Sequence, residues 1–407
     1  MEAFALAPLR VLLYSHDSQG LGHLRRNLAL AHSLAQHLPR RTGRPVTGMM
    51  ITGLDVAAVD LPDGFDVVRM PGITKRHGAY APREVLVPMP DLTDLREQLL
   101  TAAVVGFEPD LMIIDRHIYG IDHELRVPLT ALRLACPEAQ VVLGLREVLD
   151  SPRVASAEWL SLGDVQALRQ VIDRIWVYGD AGVHDPRATG EIPVGLHDLI
   201  QFTGYLSQGR PGGGPAVVAG HAPYLLTMVG GGSDGRTLCE AAAQAQVPPG
   251  YRHILVTGPQ VSARDHQAVS QMAAHRTEVL RRVPDGLAAI RGASGLVAMA
   301  GYNTVAEVLS TEVPALLVPR EVPRMEQSIR CQALLRVGAV DVLPPGELTS
   351  GEISRWMVGA VGRTVDRSGI DRAGLSAVPR LATILMGLST VDEGADTEPL
   401  ESTDVAV

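Results

Sequence analysis

Residues 9–34 read LRVLLYSHDSQGLGHLRRNLALAHSL. The first six form an apolar run of strand length, the kind buried on both faces of a parallel sheet. A loop with two glycines, Gly20 and Gly22, follows, and beyond it apolar residues recur at helical spacing. Strand, glycine turn and helix in that order make the opening unit of an α/β sheet. The chain repeats the unit, with strands expected at 9–14, 46–51, 65–69, 111–115, 140–145 and 174–178. Helices are expected between them near 22–37, 91–105, 122–134 and 156–171. Residues 207–222, SQGRPGGGPAVVAGHA, have no periodicity and read as a linker. The alternation then restarts, with strands near 224–229, 252–257, 277–282, 295–299, 315–318 and 339–342. Helices are expected at 234–246, 263–274, 284–292, 303–310, 325–337 and 348–361.

The expected fold is therefore α/β, with two doubly wound Rossmann-like domains facing across a cleft. Ligands of such sheets bind at the carboxyl ends of the strands. The expected boundaries are a first domain over 1–206, a linker over 207–222 and a second domain over 223–365. A helical segment over 366–390 and an acidic, disordered tail over 391–407 complete the chain.

Composition narrows the function. The 407 residues carry a net charge of −9, of which the tail supplies −6, leaving −3 for residues 1–390. A nearly neutral body has no basic field for nucleic acid, so none is expected as a partner. The only lysine is Lys75, against 35 arginines. A Walker A loop is excluded, and a pyridoxal Schiff base would have to fall on Lys75. Arginine can still clamp phosphates through its planar fork. Cys136, Cys239 and Cys331 lack C-x-x-C spacing, so a reduced, cytoplasmic protein with neither zinc nor disulfides is expected. There is no apolar run of the ~18–20 residues that span a bilayer, and no signal-peptide pattern.

Four loops can carry chemistry. The first, 15–26, presents His16, Asp17, Gly20, Gly22, His23, Arg25 and Arg26 where a strand runs into a helix. Arg25 stands where a dinucleotide fingerprint needs its third glycine, which argues against a nicotinamide site. His23 at the helix N-terminus is expected to be held neutral and able to accept a proton, or else merely to cap the helix. In the second, Gly230-Gly231-Gly232-Ser233-Asp234-Gly235 gives backbone N–H groups close access to an anion at a helix start. The third, Gly301-Tyr302-Asn303-Thr304-Val305-Ala306-Glu307, is a second glycine-led helix start. Glu307 lies at capping-box spacing from Thr304, and alternatively could accept the vicinal hydroxyls of a ribose. In the fourth, Arg320 and Arg324 could clamp a phosphate or a sugar carboxylate while Glu326 and Gln327 read sugar hydroxyls; a solvated helix start is the other reading.

With these loops in view, the chain resembles GT-B glycosyltransferases of family 28, the group containing the N-acetylglucosaminyltransferase of peptidoglycan lipid-intermediate synthesis. It also resembles bacterial proteins described only as glycosyltransferases. The stretches that carry the likeness are SHDSQGLGHLRRNLALA (15–31), PDLMIIDRHIYGIDHEL (109–125), VVLGLREVLD (141–150), MVGGGSDG (228–235) and GYNTVAEVLSTEVPALLVPREVPRMEQSIR (301–330). The resemblance implies an acceptor-side loop of Gly20, Gly22 and His23, to which Arg25 adds, and a donor diphosphate on Gly231, Gly232, Ser233 and Gly235. It further implies Glu307 on the ribose and Glu326 with Gln327 on the donor sugar, with Gly301, Asn303 and Thr304 in the donor helix start.

The expected reaction is transfer of a hexose-type sugar from a nucleoside diphosphate sugar, a UDP-sugar on this resemblance, to an acceptor hydroxyl. It would proceed with inversion and without a metal, because D-x-D is absent and helix starts with arginines can stabilise the leaving diphosphate. His23 is the candidate base, with Asp17, Asp115 and His117 on the same rim. No cofactor is expected. The acceptor, whether small molecule, glycan or lipid, is unassigned, and peripheral membrane contact is expected only for a lipid. Two alternatives share the fold: a nucleotide-sugar 2-epimerase and a non-catalytic nucleotide-sugar-binding protein.

Overall fold

The computed structural model describes residues 6–16, 22–54, 60–76, 79–207, 222–231, 234–372 and 374. Asp17, Gly20, Gly232 and Ser233 lie outside the described residues, as do most of the expected linker and all of the acidic tail.

The first domain runs β1 (Leu9–Tyr14), α1 (Gly22–Thr42), β2 (Val46–Thr52), β3 (Phe65–Arg69), β4 (Ile73–Arg76), β5 (Ala79–Pro82) and α2 (Met89–Phe107). It continues with β6 (Leu111–Asp115), α3 (Arg126–Ala135), β7 (Gln140–Arg146), α4 (Pro152–Leu162), α5 (Val165–Val171), β8 (Arg174–Tyr178) and β9 (Ile200–Phe202). Seven strands form one parallel sheet in the order β3-β2-β1-β6-β7-β8-β9. Leu111–Asp115 is buried throughout, as a strand covered on both faces must be. β4 and β5 form a separate antiparallel hairpin.

The second domain runs β10 (Tyr224–Met228), α6 (Arg236–Ala243), β11 (Arg252–Val256), α7 (Ala263–Met272), β12 (Thr277–Leu280), α8 (Gly286–Arg291), β13 (Leu296–Ala298), α9 (Tyr302–Leu309), β14 (Ala315–Leu317), α10 (Glu326–Arg336), β15 (Asp341–Val342) and α11 (Ser350–Ala360). Its six parallel strands follow the order β12-β11-β10-β13-β14-β15. Both sheets reverse direction beside their first strand, which opens a crevice at the carboxyl ends. These two α/β domains face each other across a cleft.

Several local expectations change. The helix expected over 122–134 starts at Arg126, because Asp122 and His123 take left-handed backbone (φ 51° and 65°). The one expected over 156–171 is two helices, broken at Gly163, whose φ of 122° a helix cannot hold. Residues 366–372 of the expected C-terminal helical segment have no helix. Their polar groups are held elsewhere: Arg367 donates to the carbonyls of Ala339, Thr311 and Val313, and Asp371 N–H donates to Asp180.

Candidate active site

Every helix start singled out in the sequence lies at this cleft. α1 follows β1 and carries His23, Arg25 and Arg26; β6 ends on Asp115, followed by Arg116 and His117. The imidazole Nδ1 of His23 lies 2.9 Å from Asp115 Oδ2. Arg26, buried beside them, donates Nε and Nη2 to the same carboxylate at 2.9–3.3 Å. Arg26 Nη2 is also 2.9 Å from His23 Nδ1. Because that guanidinium already serves the carboxylate, the consistent assignment has Nδ1–H donating to Asp115, which leaves Nε2 as the acceptor atom. Burial alone would raise the Asp115 carboxyl, but Arg26 and then His23 outweigh it and hold it at about 2. Asp115 is thus an anion that orients the ring.

His16 and His117 complete a cluster: their rings lie 4.3 Å apart, and His16 lies 5.5 Å from His23. Arg116 between Asp115 and His117 has φ 78°, a strained value for a side-chain-bearing residue at the strand end. The β4–β5 hairpin, which holds the otherwise unassigned Lys75, reaches this rim. Lys75 packs over the Tyr80 ring at 4.9 Å, and the Tyr80 hydroxyl is 3.4 Å from His16 Nε2.

The histidine cluster makes a measurable prediction. Burial drives His16 and His117 well below 6.5, helped by His23 at the first and His16 at the second, and burial alone takes His253 in the second domain to about 4. Below about pH 6.5 the unfolded chain binds protons that the folded chain refuses, so stability falls as pH falls. Each histidine contributes a slope of about 1.4 kcal/mol per pH unit until its folded value is passed. Denaturant unfolding at a series of pH values should show this decline, and His117→Gln should make it shallower by about that amount. An identical slope in the variant would contradict the assignment.

On the opposite wall, the loop after β10 turns at Gly230 (φ 72°) into Gly235, the residue before α6. A Cβ on Gly235 would lie 2.3 Å from Val229 Cβ, so only glycine fits there. Gly231 and Gly301 instead face open space, with nothing within 4 Å of where a Cβ would stand. Gly301, not Thr304, precedes the first turn of α9, so the capping-box reading of Thr304 and Glu307 is corrected: both sit inside the helix. Glu307 is buried, its carboxylate 3.4 Å from Arg25 Nη2 of the first domain. Asn303 Nδ2 donates to Gly22 O at 3.1 Å, so the acceptor-side loop and the donor-side helix start touch.

The fourth loop is spent differently from a free phosphate clamp. Arg324 reaches Glu158 (2.6 Å) and Asp150 (3.3 Å) of the first domain. Arg320 pairs with Asp234 at 2.9 Å and Glu326 at 2.7 Å, and its backbone N–H donates to Gln327 Oε1. Glu326 and Gln327 are buried at the start of α10. Deeper still, Arg330 and Glu147 form a two-point ion pair across the domain boundary (2.6 and 3.1 Å), both fully buried. Tyr302 is buried between the Arg26 and Arg330 guanidiniums at 5.7 and 5.8 Å.

The sequence reading quoted Arg26, Tyr302 and Arg330 within its loops without giving them a role, and did not single out Arg116, Arg146 or Glu147. All but Tyr302 and Arg330 stand at the carboxyl ends of first-domain strands or on α1, and a scan of the residues just past each apolar run would have flagged Arg116, Arg146 and Glu147. Among the described residues no group of three or more His, Cys, Asp or Glu could hold a metal ion, and no helix is long and apolar enough to cross a membrane.

No protein-family model matches the sequence, and no curated protein matches it. Solved structures do. MurG of Acinetobacter baumannii aligns with a TM-score of 0.55 over 94% of this chain and 100% of its own, at 16% identity. A UDP-glucosyltransferase from Polygonum tinctorium aligns at 0.53 over 95% and 94%, at 14% identity. A structure named for a UDP-N-acetylglucosamine 2-epimerase of Listeria monocytogenes aligns at 0.60 over 96% and 100%, at 10% identity. The chain has the GT-B fold. In GT-B terms, the His23 wall belongs to the N-terminal domain and the glycine-led helix starts to the C-terminal one. At these identities the likeness establishes architecture and leaves the chemistry to the site.

Proposed function

We propose that the protein is an inverting, metal-independent glycosyltransferase that moves a hexose-type sugar from a nucleoside diphosphate sugar, a UDP-sugar, to an acceptor hydroxyl. The observation that carries this reading is the pairing of His23 with Asp115 directly across from two glycine-led helix starts and the buried Glu307. His23 Nε2 takes the proton of the acceptor hydroxyl, whose oxygen forms the new bond to the anomeric carbon. The bond from that carbon to the diphosphate oxygen breaks in the same displacement. The departing diphosphate oxygen keeps the electron pair, and the backbone N–H groups at the starts of α6 and α9 stabilise its charge by hydrogen bonding. Glu307 accepts the ribose hydroxyls, and Glu326 with Gln327 reads the sugar. Two of the structural likenesses bear names that include UDP, which supports that donor.

A nucleotide-sugar 2-epimerase is the second reading, favoured by the 0.60 alignment. It would use the same donor wall and need no acceptor. Donor binding is common to both and is tested first. A thermal-shift series over nucleoside diphosphates should raise the melting temperature with one base, as mass action requires. Glu307→Ala should weaken that ligand by about 10-fold or more, through the loss of hydrogen bonds to a charged group. Undiminished affinity would remove Glu307 from the site.

A further inference from the structure

Arg146 ends β7 and is followed at once by Glu147. Glu147 is consumed by Arg330; Arg146 has no such partner. Its side chain makes no hydrogen bond or ion pair with any described residue, and its Nε is sealed from solvent without an acceptor. The carboxylates around it are committed elsewhere. Asp115 holds Arg26 and His23, Glu158 is shared by Arg116 and Arg324, Asp150 holds Arg324, and Glu326 holds Arg320 through one oxygen. Among the described residues, the cleft floor is therefore left with one uncompensated guanidinium. Burial first, then the charges of Arg26, Arg116 and Arg330, push Arg146 down to about 9, with Glu326 alone among its named neighbours acting the other way. A partly buried cation crowded by three others is unfavourable unless something anionic joins it. Meanwhile Glu326 Oε2, buried at the start of α10, accepts no hydrogen bond. An unneutralised donor fork and an unused acceptor thus face the same part of the cleft from opposite domains.

We propose that Arg146 binds an oxyanion, a carboxylate or a phosphate, on the sugar-bearing substrate, so that the enzyme selects an acidic sugar. This deepens the proposed function and rests on it. The diphosphate is served by the glycine-led helix starts of the second domain; Arg146 belongs to the first, beside the carboxylate assigned to the sugar. A planar guanidinium with its edge free pairs with both oxygens of a carboxylate or phosphate, which a hydroxyl cannot match.

The test compares full-length wild type, Arg146→Gln and Arg146→Lys by calorimetry. The probes are the bare nucleoside diphosphate, its hexose and hexuronate conjugates, and free hexose against hexose 6-phosphate. Wild type should bind one acidic member about 10- to 100-fold more tightly than its neutral counterpart. Preference for the nucleotide hexuronate puts the anion on the donor; preference for the sugar phosphate puts it on the acceptor; either supports the proposal. Arg146→Gln should erase the preference and keep affinity for the bare diphosphate, and Arg146→Lys should retain part of it. Ligand-free Arg146→Gln should melt no lower than wild type, because no hydrogen bond or ion pair with a described residue is lost.

Equal binding of acidic and neutral sugars by wild type would overturn the proposal. So would equal weakening of the bare diphosphate in Arg146→Gln, which would assign the guanidinium to the diphosphate, or a melting point lower by more than about 3 °C, which would make it structural. If no nucleoside diphosphate binds wild type, the nucleotide-sugar reading and this proposal both fall. Diphosphate binding without acid selectivity removes only the second.

Discussion

His23→Ala should slow sugar transfer by about 10²- to 10⁴-fold, the range that a positioned general base contributes. Donor affinity should stay within about twofold, because diphosphate and ribose are assigned to the other domain. The expectation rests on geometry. Asp115 is buried, anionic and 2.9 Å from Nδ1, so with Nδ1–H donating to it, Nε2 is the ring nitrogen that takes the proton. Asp115→Asn should lower the rate as well, since an amide can fix the ring in the opposite tautomer and leaves Arg26 short of its counter-charge. A His23→Ala enzyme with wild-type rate and unchanged donor affinity would end the base assignment. Loss of donor affinity equal to the loss of rate would recast His23 as a binding residue.

The second large effect concerns how the cleft is held. Glu147→Gln should destabilise the folded chain by about 3–5 kcal/mol, measured by denaturant unfolding. The pair as a whole need contribute little, because both ions lose water on burial. Removing one partner, however, leaves the Arg330 guanidinium buried against a neutral amide. Burial alone would lower Arg330, yet Glu147 overrides it and raises it above the ordinary guanidinium value. Glu108→Gln is the control: its carboxylate and its partner Arg10 are 62% and 43% exposed, and the cost should be about 1 kcal/mol or less. Equal costs for the two variants would mean that burial of the Glu147–Arg330 pair is not what matters.

Much of the architecture was legible because it is written in local runs. LRVLLY, LMIID and RIWVY begin and end where the sequence places them, since Val, Ile and Leu buried on both faces leave no ambiguity, and the half-exposed edge strand FDVVR also keeps its expected bounds. The β4–β5 hairpin was not seen, because ITKR and AYAP are mixed in polarity and lie outside both large sheets. β9 is only IQF, too short to stand out. Helix ends moved where backbone angles, not hydrophobicity, decide them, as at Asp122, His123 and Gly163.

The candidate site divides in the same way. Glycine loops and helix starts are local and were found. Ion pairs between residues far apart in sequence leave no local trace: Glu147 and Arg330 are separated by 183 positions, and Asp150 and Arg324 by 174. Arg324 looked like a phosphate clamp because its carboxylate partners belong to the other domain. Arg146 carries no motif at all; what marks it is the absence of a partner among the described residues, and that is visible only once their neighbouring carboxylates have been assigned.

The central claim is transfer across the cleft from the second-domain wall to an acceptor activated by His23. It is tested most directly by incubating the purified protein with a sugar-labelled nucleotide sugar in the presence of chelator, with and without an acceptor pool. The account predicts acceptor-dependent release of nucleoside diphosphate, with the label on a new glycoside of inverted anomeric configuration. Label remaining on the nucleotide as an epimer, formed equally without acceptor, would contradict it.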